Sequence, residues 1–155
     1  MTATNHAMTG AVIALAVRQP ALAIPLAFAS HFVLDSLPHF GIYEDDVLKR
    51  NRHWLFRTVT SIDIPLMLVL LFVAPHLAAK KLAWGVVLAG MLAAIAPDSV
   101  WVYRFFNEIK TQQWRPGSRY SRFHQAIQWF EQPIGLIVEV IWLGLMSLVF
   151  ARLIA

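Results

Sequence analysis

The sequence predicts an all-α fold: an integral membrane helical bundle with a short N-terminal helical hairpin followed by three transmembrane helices. Three observations predict it. Of 155 residues, 58% are hydrophobic and 14% charged, with a mean hydropathy of +0.58, outside the usual range of a soluble domain. The apolar residues fall in runs of helix-like length. The basic residues gather in the connections between those runs, as the positive-inside rule expects of cytoplasmic loops. At ~20 residues per crossing plus a connection, the chain has room for one compact unit of about four spans. Residues 1–155 are therefore expected to form a single transmembrane domain.

Residues 7–17 (AMTGAVIALAV) and 21–34 (ALAIPLAFASHFVL) are apolar and are separated by Arg18-Gln19-Pro20. At ~1.5 Å per residue neither piece alone crosses a ~30 Å hydrocarbon core. Either they form one long kinked span, or they fold back as a hairpin with Pro20 opening the second helix; the hairpin is favoured. The first run has no basic segment before it, so it does not read as a signal peptide despite Ala27-Phe28-Ala29. Residues 38–57 are polar and belong outside the membrane, as a loop with room for a surface helix. Residues 59–78 read as a span containing Asp63, Lys80-Lys81 mark a turn, and residues 82–103 form the next span with Asp98 near its end. A second basic connection runs from Arg104 to Arg122. Residues 123–152 make a long final helix, kinked at Pro133. Lys and Arg number four in 38–58, five in 104–122 and two in 79–81, which puts the two richer connections in the cytoplasm and the C-terminus outside.

Cysteine is absent, so disulfides, thiolate metal sites and a cysteine nucleophile are excluded and any metal must use His, Asp and Glu. The excess of Lys and Arg over Asp and Glu, 13 against 9, does not signal nucleic acid. No basic, aromatic-interleaved surface domain is present to carry such binding.

Ionisable groups inside spans cost several kcal/mol unless paired, so each one marks a candidate site. With both basic connections on one side, His31 and Asp35 end the second helix, Asp63 lies about one turn into its span, Asp98 precedes Arg104 and His124 follows Arg122. A hairpin returns His6 to the same side. Carboxylates and imidazoles at a common height are the arrangement of metal sites in helical bundles, and His31-x-x-x-Asp35 puts two of them on one helix face. His6, His31, Asp35, Asp98 and His124 are the expected metal ligands. Asp63 and Glu131 are the candidate catalytic residues. Asp63 also has the height of a further ligand, or it bonds to backbone freed by Pro65. Glu131, seven residues after His124, shares its face but lies ~10 Å deeper, which suits a general base. His39 after Pro38 turns back toward Asp35 or faces water, and Asn5 suits an N-cap. Glu139 is expected to pack or pair. His53 and His76 carry no assigned chemistry, and the Trp residues, among them Trp54, Trp101 and Trp129, are expected to mark interfaces.

Asn5-His6-x-x-x-Gly10, His31-x-x-x-Asp35, Ala96-Pro97-Asp98 and Phe123-His124 together resemble the bacterial membrane-bound metal-dependent hydrolases, over most of the chain. The nine residues from His31 through Asp35 and Pro38 to His39 also resemble the His-x-x-x-Asp-x-x-x-Pro-type motif of zinc-dependent phospholipases C and related single-strand nucleases, with one residue fewer between Asp35 and Pro38. Members of the first family carry a Leu-Pro-Asp-x-Asp-His run, whereas here Asp35 precedes Ser36-Leu37-Pro38-His39. Asp35, His39 or both correspond to the usual ligands. Hydrolase activity is what the first resemblance implies.

The residues point to a centre of one or two divalent ions that turns bound water into a nucleophile; mixed nitrogen and oxygen donors fit zinc, manganese or iron without choosing among them, and zinc is the first expectation. A site at headgroup level implies an amphiphilic substrate such as a phospholipid or polyprenyl phosphate, with Arg115, Arg119 and Arg122 holding its phosphate. The expected location is the bacterial inner, cytoplasmic membrane, and a homo-oligomer is compatible with it. The rival reading is a small transporter or an ion- or proton-conducting subunit that uses the same Asp, His and Glu residues. A third is a structural membrane protein with internally satisfied polar groups.

Overall fold

In the computed structural model the described residues are 1–42, 53–111 and 118–155, without the side chains of Trp101, Arg104, Phe105, Glu108 and Ile109. Their regular structure is all α. The helices are α1 Ala3–Val17, α2 Pro20–Asp35, α3 Trp54–Ala78, α4 Trp84–Ile95, α5 Ser99–Thr111, α6 Arg119–Ile127 and α7 Gly135–Ile154. A 3-10 turn, Ala96–Asp98, joins α4 to α5.

The Arg18-Gln19-Pro20 break makes the expected hairpin. Arg18 caps α1 in the left-handed region at φ 58°, returning its N–H to the Ala14 carbonyl, and Pro20 occupies the first turn of α2, where its missing N–H costs nothing. The helix begins at Ala3 rather than residue 7, so His6 lies inside it.

Helix α1 is central, packing against α2, α3, α4 and α7. Its composition permits this: Ala7, Ala11 and Ala14 are fully buried small residues that let neighbouring backbones approach. The closest crossing is with α4. A Cβ built on Gly10 would lie 2.4 Å from the Gly90 carbonyl oxygen, and one on Gly90 would lie 2.8 Å from that of Gly10. No side chain fits between these backbones. Leu15, Ala74, Ala78, Val87, Met91 and Phe150 form the apolar core at the end of α1 away from Ala3.

Polarity is distributed inside out. Leu68, Phe72, Val140 and Leu148 are each more than half exposed, while His6, His31, Asp35, His124 and Glu139 are buried. Two helices, α3 with 25 residues and α7 with 20, are long and apolar enough to cross a membrane, and α1, α2 and α4 with its 3-10 turn are shorter apolar helices.

Two boundaries differ from expectation. The second of the three expected spans, residues 82–103, is interrupted: α4 has 12 residues, about 18 Å, before Pro97 enters the tighter 3-10 turn. The chain then restarts as α5 through Thr111, so much of the expected connection is helical. The long final helix is also two helices. Between Ile127 and Gly135 the chain is extended enough for Glu131 to form a parallel bridge with His39, and the Gln132 N–H donates to the His39 carbonyl at 3.0 Å. Pro133 brings no N–H to a continuing helix. A Cβ on Gly135 would lie 2.0 Å from the His39 carbonyl carbon, so this close passage requires glycine. Residues 43–52, the heart of the expected polar loop, lie outside the described residues.

Candidate metal centre

Helices α2 and α4 arrive at the end of the bundle from which α1 departs. His31 and Asp35 close α2, the Ala94 carbonyl and Asp98 close α4, and α6 lays His124 across them. The His31 Nδ1–H donates to the Ala94 carbonyl at 2.8 Å. That bond fixes the tautomer and leaves a lone pair on Nε2. The His31 Nε2 lies 3.0 Å from the His124 Nε2, 3.1 Å from the Asp35 Oδ2 and 3.6 Å from the Asp98 Oδ1. The His124 Nε2 lies 2.9 Å from the same Asp35 oxygen.

One ligand atom from each of His31, Asp35, Asp98 and His124 lies within 4.8 Å of all the others. Donors around an ion with bonds of about 2.0–2.2 Å stand roughly 2.9–3.6 Å apart in octahedral or tetrahedral geometry, and the distances just given span that interval. Two imidazole nitrogens and two carboxylates aimed at one point attract a cation, so this group can hold a metal ion. Its donor set, two nitrogens and two oxygens without sulfur, suits zinc, manganese or iron. His31, Asp35 and His124 are fully buried, whereas the Asp98 side chain is 26% exposed. The cluster therefore has its opening beside Asp98.

Asp35 is the hub. Its Oδ2 also accepts from the Gln128 Nε2 at 3.0 Å, while its Oδ1 faces the His6 Nε2 at 3.1 Å and the Met1 amino group. His6 does not enter the four-atom group. Its ring stacks on His31 with centroids 4.0 Å apart, and its Nδ1 is buried without a hydrogen-bond partner among the described residues.

Asp63 does not join the cluster. Its two carboxylate oxygens accept from the Ala3 and Thr4 N–H groups at 2.9 and 3.0 Å, which satisfies orphan donors in the first turn of α1. Asp63 therefore stands outside the four-residue group, with both carboxylate oxygens taken up by α1. Glu131 is corrected as well. It stands in the extended break beside His39, with its side chain over Gly41, and shares no helix with His124, which removes the common face on which a general-base role rested. Asn5 is inside α1 rather than at its N-cap, which is Thr2.

Arg119 and Arg122 are exposed on α6, whose buried side carries Ser121 and His124; Arg115 lies outside the described residues. His39 is buried and donates its Nδ1–H to the Leu37 carbonyl at 2.8 Å, and burial pushes its pKa down to about 4. It is outside the four-residue group, which includes Asp35. Tyr120 donates its hydroxyl to the Pro97 carbonyl at 3.2 Å, and burial, with Asp98 nearby, holds its pKa above the usual phenol value.

Sequence reasoning missed one supporting residue. Gln128 is one turn after His124, the spacing that signals a shared direction. Glu139, expected to pack or pair, is a pairing hub: it accepts from the Thr2 N–H at 3.1 Å, the Phe40 N–H at 3.0 Å and the Asn5 Nδ2 at 3.4 Å. A lone Glu in an apolar helix was the available signal. Comparison with protein-family models, curated proteins and solved structures finds no match.

Proposed function

We propose that this chain is a membrane-embedded metal-dependent hydrolase acting on an amphiphilic ester, a phosphoester first among them. The observation that carries the reading is the convergence of His31, Asp35, Asp98 and His124 from separate helical segments onto one buried point. A divalent ion held there supplies a water nucleophile at neutral pH.

The chain's own residues set the rest. His31 is locked by Ala94, Asp35 by Gln128 and His6, so the donors are held in place before any ion arrives. The exposed edge of Asp98 faces incoming substrate, and Arg119 and Arg122 on α6 offer charge to a phosphate. The apolar outer faces of α2, α3 and α7 suit lipid, and exposed Trp54, Tyr103 and Trp129 suit the headgroup level. An ester at that level reaches the centre while its apolar chain stays in the bilayer. Both basic connections leave from this end, which the charge rule places in the cytoplasm; the resemblance to bacterial proteins makes the membrane the bacterial inner membrane.

A transport role draws less support. It needs polar groups that continue across the bundle, yet beyond Thr9 the buried residues of α1 are Gly10, Ala11, Ala14 and Leu15, packed in the apolar core. Elemental analysis of the detergent-purified protein tests the proposal, paired with hydrolysis of bis(p-nitrophenyl) phosphate. We expect stoichiometric transition metal, lost together with hydrolysis in Asp98→Ala and His124→Ala while helical content stays unchanged. Wild-type protein that binds no metal overturns the proposal.

A further inference from the structure

We infer that His6 is a positioning residue and not a ligand, and that the centre holds a single ion to which Asp35 offers one oxygen. This rests on the metal-centre reading above and decides what that reading leaves open, namely whether one or two ions are held.

The two oxygens of Asp35 face different groups. Its Oδ2 meets the Nε2 atoms of His31 and His124 at 3.1 and 2.9 Å, the side on which Asp98 also lies. Its Oδ1 meets the His6 Nε2 at 3.1 Å and the Met1 amino group. An Nε2–H on His6 that donates to Oδ1 pins the carboxylate's rotation and turns only Oδ2 toward the ion. This is the partner a ligating carboxylate ordinarily requires.

His6 also braces a second ligand. Its ring lies against that of His31 at 4.0 Å and 19° between planes, while the Ala94 carbonyl holds the His31 Nδ1 at 2.8 Å. His31 is thus fixed at its edge and over its face, and its Nε2 cannot swing away from the cluster. His6 can do this because it is fully buried on the central helix, one turn from the Gly10–Gly90 crossing. The Oδ1 side is already taken up by the His6 ring and the Met1 amino group, which leaves a second ion no open face of Asp35. The other carboxylates nearest α1, Asp63 and Glu139, are occupied by N–H donors from Ala3, Thr4, Thr2 and Phe40.

The test uses the full chain in detergent micelles loaded with zinc. It measures stoichiometry by elemental analysis, imidazole ligands by X-ray absorption spectroscopy, and affinity by competition with a chromophoric chelator. We expect one zinc and two coordinated imidazoles in wild type. His6→Phe, which keeps the stacking but not the hydrogen bond, should keep two coordinated imidazoles and bind zinc about 10- to 100-fold more weakly. His6→Gln, which restores a donor toward Asp35, should recover part of that loss. His124→Ala, by contrast, should lose the ion. Two zinc ions or three imidazoles in wild type, or a His6→Phe affinity equal to wild type, overturns the inference and leaves the metal-centre reading standing. If His6→Phe does not fold, the wild-type stoichiometry and imidazole count decide the matter alone. A wild-type chain that binds no zinc, manganese or iron overturns the metal-centre reading itself, and this inference with it.

Discussion

Replacing Gly10 by Ala puts a methyl group where the Gly90 carbonyl now sits. The new carbon would lie 2.4 Å from that oxygen and 2.9 Å from the Met91 Cα, and since ordinary contacts are about 3.4 Å or longer, α1 and α4 must separate by roughly 1 Å. Overpacking of this kind costs about 1–3 kcal/mol. The better helix propensity of Ala returns up to ~1 kcal/mol, leaving a net loss of up to about 2 kcal/mol. Gly144→Ala is the matched control, because a Cβ there meets nothing within 4 Å, so it should gain stability by up to ~1 kcal/mol. The displacement also reaches the metal centre, because His6 lies one turn from Gly10 and Ala94 one turn from Gly90, both toward the site. The 2.8 Å bond from His31 to Ala94 should lengthen and zinc affinity should fall. SDS titration followed by circular dichroism measures the first effect and chelator competition the second. Equal stability of the Gly10→Ala and Gly144→Ala proteins would refute the close crossing.

Asp63→Ala removes the acceptor of two N–H groups in α1 and should cost about 0.5–2 kcal/mol while metal content stays unchanged; loss of the metal would restore Asp63 as a ligand. Glu139→Ala strands the buried N–H of Phe40, at about 1–3 kcal/mol, and the half-buried one of Thr2, and Glu139→Gln, which keeps one oxygen, should lose less. A melting temperature unmoved in both would show that this hub is not as described. His39, with its pKa lowered from 6.5 to about 4 by burial, binds its proton less readily folded than unfolded. Its contribution is therefore complete above pH 6.5 and is lost as pH falls toward 4, by about 3 kcal/mol in all. Denaturant titrations at pH 7.5 and 4.5 should show a smaller difference in His39→Gln than in wild type, and an identical difference would refute the assignment.

What was legible in the sequence divides by physical cause. The hairpin was legible because Arg18-Gln19-Pro20 carries its own turn chemistry. The heights of His31, Asp35, Asp98 and His124 were legible because a helix advances a fixed distance per residue. Direction around the helix axis was not, since it depends on which neighbours pack on each face. Asp63 shows this: its height is that of the site, but it turns toward α1. The break between Ile127 and Gly135 was hidden for another reason. Its backbone partner is His39, about ninety residues earlier in the chain, and only Pro133 hinted at it locally. Glu131 was misplaced because an unbroken helix was assumed beneath it.

The central position of α1 has a temporal consequence. It is made before α2, α3, α4 and α7, so its partners are supplied by later segments: Gly90 at the α4 crossing and, later still, Glu139, which takes the Thr2 N–H across 137 residues. Contacts of such sequence separation form slowly because loop closure precedes their reward. His124, on α6, is the last of the four candidate donors to be made, so the group cannot converge before α6 has been synthesised. A chain stalled before residue 119 carries three of the four candidate donors, His31, Asp35 and Asp98, and lacks His124, so binding of an ion by the complete group would report that α6 has been made.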